Sequence, residues 1–299
     1  MPVTKSETEQ IPLDGGKKSC AVHVFRACSD AFPSDWSTRR FDVILPPGYS
    51  EDRKYPVIFM YDGQNLYRDH DSWNAPQTAS RLASEGRIPP VIIVGLYHGD
   101  GERRGEYFPQ KAWNLLPPEL VRDAVSIVPH GCKSDIYLDW VVHTVFPYVA
   151  ANFAVSGEKQ QTSVAGSSMG GLMSLCALIE YPELFGSAAC MSSHWTGTQK
   201  PLPSAAPYLI EWVKENLRDA SATRQRIYFD HGDGNGNTAD LDSAYAPLQE
   251  QVDGILRLHG YTENDGNFMS LSFEHQGHHE KYWSSRFPGV LEFLLAGTR

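Results

Sequence analysis

The stretch Thr162-Ser163-Val164-Ala165-Gly166-Ser167-Ser168-Met169-Gly170-Gly171 joins a short β-branched run to a helix through G-x-S-x-G. On such a sharp strand-to-helix turn a serine hydroxyl projects at the sheet edge, the arrangement called a nucleophile elbow. Glycines two before and two after the serine are needed because the backbone is strained and closely approached. Here they are Gly166 and Gly170, which makes Ser168 the nucleophile candidate. Registering the motif on Ser167 would put Ala165 and Met169 at those places, where side chains crowd the turn. Taken alone, the pentapeptide reads equally well as a Gly/Ser loop capping a helix. The flanks favour the elbow, because Val164 and Ala165 precede it and Leu172, Met173, Leu175, Cys176, Ala177, Leu178 and Ile179 follow as an apolar helix.

The rest of the chain alternates in the same way. Strand-like runs cover 21–27, 40–45, 57–61, 91–96, 163–165, 187–191, 226–229 and 269–273. Helical periods cover 75–85, 135–153, 172–181, 206–217, 243–258 and 281–295. Strands alternating with helices in the C-terminal half predict a mostly parallel sheet with helices on both faces. The closely spaced N-terminal strands predict antiparallel edge strands. No repeat or linker interrupts the pattern, so residues 1–299 are expected to form one α/β domain, with 1–19 a loosely held arm. The interval 97–134 follows a strand end and is long for a loop, which suits the lining of a site.

A net charge of −10 argues against nucleic acid or an acidic membrane surface as partner. Neither an apolar signal segment nor a run near the ~20 residues that span a bilayer is visible. The five cysteines, Cys20, Cys28, Cys132, Cys176 and Cys190, are scattered without C-x-x-C spacing. A reducing cytoplasm is the expected compartment.

A serine nucleophile needs a base, and the base needs a group to orient it. The chain order Ser, acid, His directs attention to Glu274-His275-Gln276-Gly277-His278-His279-Glu280, between a strand and a helix, where His275, His278 and His279 compete. Zinc is disfavoured there because H-E-x-x-H is absent. Four acid candidates, Asp230, Asp233, Asp240 and Asp242, follow the preceding strand. The run from Asp233 resembles the start of a calcium loop, but Thr238 stands where glycine is required and the twelfth position is not glutamate, so a Gly/Asn turn is the better reading. For the oxyanion, backbone N–H groups are expected from Met169 and from the turn Asp62-Gly63-Gln64-Asn65 after an early strand, with Gln64 the donor.

Together the motifs VILPPGY (43–49), YDGQNLY (61–67), RRGEYFP (103–109), AGSSMGGL (165–172), YPELFG (181–186), SSHW (192–195), YFDHG (228–232), Leu241-Asp242 and HHEKYWSSR (278–286) span most of the chain. They resemble the putative-esterase branch of the α/β-hydrolase superfamily, which includes enterochelin esterases, feruloyl esterases, S-formylglutathione hydrolases and mycolyltransferases. The resemblance implies an α/β-hydrolase fold, Ser168 as nucleophile and His278 as base. It often places the acid a few residues beyond the strand-end glycine. The stretch 233–237 looks inserted, and realignment on Leu241-Asp242 moves the acid to Asp242. Arg103 resembles a pocket arginine of siderophore esterases that holds a polar or anionic part of the ligand; the alternative is a surface arginine paired with Glu106. Trp195 either stacks on a flat acyl group or sugar, or packs beneath a loop.

The implied activity is serine carboxylic-ester hydrolysis of a small-molecule ester, with no metal and no organic cofactor. Feruloyl or related acyl esters of small saccharides lead. A missing secretion signal counts against extracellular polysaccharide, and a missing N-terminal domain against a close match to enterochelin esterases. A siderophore trilactone esterase, an S-formylglutathione hydrolase, an acyltransferase and a non-catalytic binding protein on the same fold are the alternatives.

Overall fold

The computed structural model describes residues 3–297 apart from 14, 15, 17, 31, 33–37, 69–71, 125–127, 129, 130, 198–204, 238 and 239. Among the described residues nine strands form one sheet: β1 (Thr4–Leu13), β2 (Lys18–Ala27), β3 (Arg39–Ile44), β4 (Val57–Tyr61), β5 (Ile92–Leu96), β6 (Thr162–Ser167), β7 (Ser187–Met191), β8 (Arg226–Gly232) and β9 (Phe268–Phe273). Their order is β1-β2-β3-β5-β4-β6-β7-β8-β9. The first three strands are antiparallel and β3 meets β5 antiparallel; from β5 to β9 every neighbouring pair is parallel.

The central strands are continuous apolar runs because helices cover both of their faces. Alternate side chains of β4 feed separate cores: Val57, Phe59 and Tyr61 join Trp140, Leu175 and Leu209 on one face. Ile58 and Met60 join Leu82 and Phe287 on the other. Helices Ser134–Trp140, Met169–Glu180 and Ala206–Asn216 therefore cover the first face, and Ala75–Ser84 and Glu280–Leu294 the second.

Three expectations are corrected. Residues 4–13 of the expected arm form strand β1, in register with β2 from Thr4↔Arg26 to Leu13↔Lys18. Only Ile11 and Leu13 of this strand are buried, so its polar row hid the pairing. The helical period 135–153 is broken by a π turn at Val141–Val145. Pro147 has no N–H to give the carbonyl of His143, so the regular i→i−4 ladder cannot pass through. The interval 97–134 carries short helices at Arg103–Tyr107, Gln110–Trp113 and Pro118–Ala124 rather than an unbroken loop.

Because β4, β6, β7, β8 and β9 run parallel, their carboxyl ends at Tyr61, Ser167, Met191, Gly232 and Phe273 share one edge of the sheet. In open α/β sheets that edge is where ligands bind.

Candidate active site

Ser168 follows β6 directly and has φ 58° and ψ −120°, a conformation an L residue adopts only under constraint. The constraint is visible in its hydrogen bonds. Its N–H donates to Met191 O (2.9 Å), and its carbonyl accepts from Gly171 N (3.0 Å) and His194 N (3.2 Å). Gly166 has no room for a side chain, since a Cβ there would sit 2.6 Å from the Gly170 carbonyl; one on Gly170 would be tight, 3.0 Å from Asp62 Oδ2. Ser168 remains 8 % exposed and lines a cleft of about 290 Å³ with Asn65, Arg103, Arg104, Met169, His194, Leu241, His278, Glu280 and Trp283.

The loops after β8 and β9 bring acid and histidine together. Asp242 lies in the short 3-10 turn Leu241–Ala244, and His278 Nδ1 lies 2.8 Å from its Oδ1. Asp240 is the cap of that turn, accepting from Asp242 N at 2.9 Å; it meets His278 only through the backbone N–H, at 3.3 Å. Asp233 sits in an exposed turn, accepting from His275 N and Asn235 N. Asp230 is committed to Arg286 at 2.8 Å. Among the histidines, His275 is exposed, and His279 caps the helix Glu280–Leu294. Residues 238 and 239, including the Thr238 of the calcium reading, lie outside the described residues.

Burial pushes the Asp242 carboxyl up, but the hydrogen bond and charge of His278, the Gly232 N–H and Arg286 outweigh it and hold its pKa below the usual carboxylate value. The carboxylate is thus a standing negative charge against His278. Gly232 makes the approach possible, since a Cβ there would fall 2.1 Å from Gln276 O.

The turn after β4 is the 3-10 helix Gly63–Asn65, beside the elbow because β4 pairs with β6. At the start of such a turn the N–H of Gln64 has no intrahelical acceptor, and neither does that of Met169 at the start of its helix. Asn65, next to Gln64, reaches the cleft lining; the Gln64 side chain instead bonds His98.

Arg103 forms a two-pronged pair with Asp62 (Nε–Oδ1 and Nη2–Oδ2, both 2.6 Å) and reaches the cleft. The expected alternative partner, Glu106, is taken by Arg39 (2.9 and 2.5 Å). Burial opposes the charge on Arg103, but Asp62 outweighs it and raises its pKa. Trp195 corrects the stacking expectation: it is 0 % exposed, donates Nε1–H to Gln249 Oε1 at 2.7 Å and packs against Phe229. A ring so enclosed cannot meet a substrate. Cleft residues that sequence reasoning missed include His194, whose Nδ1 lies 2.6 Å from the Tyr245 hydroxyl, together with Arg104 and Glu280. All three stand inside the quoted motifs, yet adjacency to a motif does not show which side chains face the cleft.

A strained serine at a strand–helix elbow and a carboxylate-bound histidine thus stand together at one edge of the sheet of an α/β-hydrolase fold. The chain belongs to the family described as putative esterase, whose profile matches residues 36–294, and it is a carboxylic-ester hydrolase. It is 26 % identical over 267 residues to the uncharacterized protein YbbA of Bacillus subtilis (strain 168), covering 87 % of this chain and 94 % of YbbA. Among solved structures it resembles a ferulic acid esterase (TM-score 0.64, 18 % identity, 92 % of this chain and 97 % of that one). It also resembles the enterobactin esterase FES from Shigella flexneri (TM-score 0.63, 19 % identity, 91 % and 59 %). Among the described residues no helix is long and apolar enough to cross a membrane.

Proposed function

We propose that Ser168, His278 and Asp242 hydrolyse a small-molecule carboxylic ester through an acyl-enzyme. The observation that carries this reading is the 2.8 Å contact of His278 with the buried Asp242, in a cleft His278 shares with the strained Ser168. Ser168 Oγ attacks the ester carbonyl while its proton passes to His278 Nε2. The tetrahedral oxyanion rests on the N–H groups of Met169 and Gln64. Collapse breaks the bond to the alcohol, which leaves with the proton from His278. Water then repeats the sequence on the acyl-enzyme and frees the acid and Ser168. Asp242 stays ionised throughout and fixes the ring tautomer.

Feruloyl or related acyl esters of small saccharides are the proposed substrates. The cleft supports this with polar and charged lining from Asn65, Arg103, Arg104 and Glu280 beside apolar Met169, Leu241 and Trp283. Such a lining suits an ester carrying hydroxyl groups on one side and a flat apolar part on the other. Action in a reducing cytoplasm is part of the proposal, supported by five cysteines without a disulfide.

The test is turnover of p-nitrophenyl acetate, then of methyl ferulate, a feruloylated saccharide, a triscatecholate lactone and S-formylglutathione, each with and without an alcohol acceptor. Preference for the feruloyl esters is expected. A higher kcat/KM on the lactone or the thioester, or product formed only with the acceptor, would replace the substrate assignment. No turnover of any ester would leave a binding protein.

A further inference from the structure

We propose that Ser192 and Trp283 are positioning residues for the Asp242–His278 pair, joined with it in a closed ring of contacts. The inference rests on the triad reading above. Asp242 gives Oδ1 to His278, and its Oδ2 is held by Ser192 Oγ at 3.1 Å and Gly232 N at 3.0 Å. Trp283 Nε1 lies 3.1 Å from the same Ser192 Oγ. An indole N–H can only donate. It therefore takes a lone pair of the Ser192 hydroxyl, and the hydroxyl proton is directed to Asp242.

The Trp283 ring also closes the circuit from the other side. It meets the His278 ring edge-to-face, with centroids 4.9 Å apart and planes at 88°. One side chain thus restrains the imidazole by packing and the carboxylate by a relayed hydrogen bond. Ser192 is built for this at some local cost: it is fully buried, with φ 43°, in the left-handed region. Its N–H is fastened to Asp230 O at 2.7 Å, and Asp230 is in turn fixed by Arg286. The strained backbone aims the hydroxyl at Asp242, as the strained Ser168 aims its own into the cleft.

The function of the ring is geometric. His278 must pass a proton between Ser168 and the leaving alcohol without turning, and a small misplacement of a proton carrier is costly. Asp242 alone could swing about its side-chain bonds and carry the imidazole with it.

The test uses the full chain and a fluorophosphonate probe, whose rate of attachment to Ser168 reports base-assisted nucleophilicity without a known substrate. Ser192→Gly accepts the left-handed backbone and lacks the hydroxyl. Trp283→Phe keeps most of the ring packing and lacks the N–H. Labelling is expected to slow about 10- to 30-fold in Ser192→Gly and about 3- to 10-fold in Trp283→Phe, each a part of the ~10²–10⁴ that a positioned base contributes. The double variant should fall within about threefold of Ser192→Gly, because both changes cut one chain of contacts. With p-nitrophenyl acetate the loss in Ser192→Gly, at a side chain outside the cleft lining, should appear in kcat with KM unchanged. The downfield proton resonance of His278 Nδ1–H should shift or broaden in both variants, while the melting temperature changes little. Wild-type labelling rates and an unmoved resonance in either folded variant, or fully additive losses, would overturn the proposal. If Ser192→Gly does not fold, Trp283→Phe decides alone. A wild-type protein that does not label Ser168 would remove the triad reading, and this inference with it.

Discussion

The two halves of the site are built in different ways. The elbow half is assembled within ten residues, where Ser168 is strained between Gly166, whose backbone neighbour excludes a Cβ, and Gly170, where the Asp62 carboxylate crowds one. The acid–histidine half is assembled across the molecule. Asp242 and His278 are 36 residues apart, and the loop that carries Asp242 passes through an exposed Gly/Asn turn. Local construction leaves a motif in the sequence. Distributed construction leaves only candidates, and the fold has to choose among them.

Substitutions can break or sharpen this contrast. Ser168→Ala should lower kcat by roughly 10⁴–10⁶, by comparison with other serine hydrolases, while Ser167→Ala keeps most activity. Equal losses at both serines, measured with p-nitrophenyl acetate, would end the assignment of the elbow register. Asp242→Asn should cost about 10⁴ in kcat with little loss of fold. Asp233→Asn should cost little, so a reversed ranking of the two aspartates would move the acid.

The folded pKa of Asp242 lies below its ordinary 3.8, so its contribution to stability is present above that value and lost as pH falls through the folded one. The stability gap between wild type and Asp242→Asn, followed by fluorescence, should be widest above pH 3.8 and close as pH falls through the folded pKa of Asp242. Gly166→Ala should destabilise by about 1–3 kcal/mol through overpacking against the Gly170 backbone. Gly236→Ala, in open space at φ 72°, should cost about 1 kcal/mol from its backbone conformation alone and leave kcat unchanged. The smallest effect is expected at Trp195→Phe, about 1 kcal/mol for the lost hydrogen bond to Gln249 with KM unmoved; a large rise in KM would return Trp195 to the cleft.

Much of the architecture was legible because apolar periodicity is a local property. Strands β4 and β7 begin and end where the pattern placed them, and the eight expected strands are all present with shifts of a few residues at their ends. Strand β1 escaped because an edge strand needs only one apolar row, and here that row is Ile11 and Leu13. The partner of Arg103 escaped because Asp62, 41 residues away, is brought beside it by the parallel pairing of β4 and β5, whose following segments carry the two residues, rather than by sequence spacing. Trp195 was misplaced for a related reason. A residue just past a strand end can turn toward the cleft or under it, and the indole's choice depends on Gln249 in a distant helix.

Strand β1 also bears on how the protein behaves among other copies of itself. A sheet edge presents unpaired N–H and C=O groups that can recruit a further strand. This edge carries Lys5, Glu7 and Glu9, alternates them with Thr and Ser, and breaks its register between Lys5 and Glu7. Incoming backbone would meet charge and an irregular ladder in place of a flat apolar strip. The segment expected to hang free thus serves as the selvedge of the sheet, the finished border that stops a fabric from being extended by the next thread.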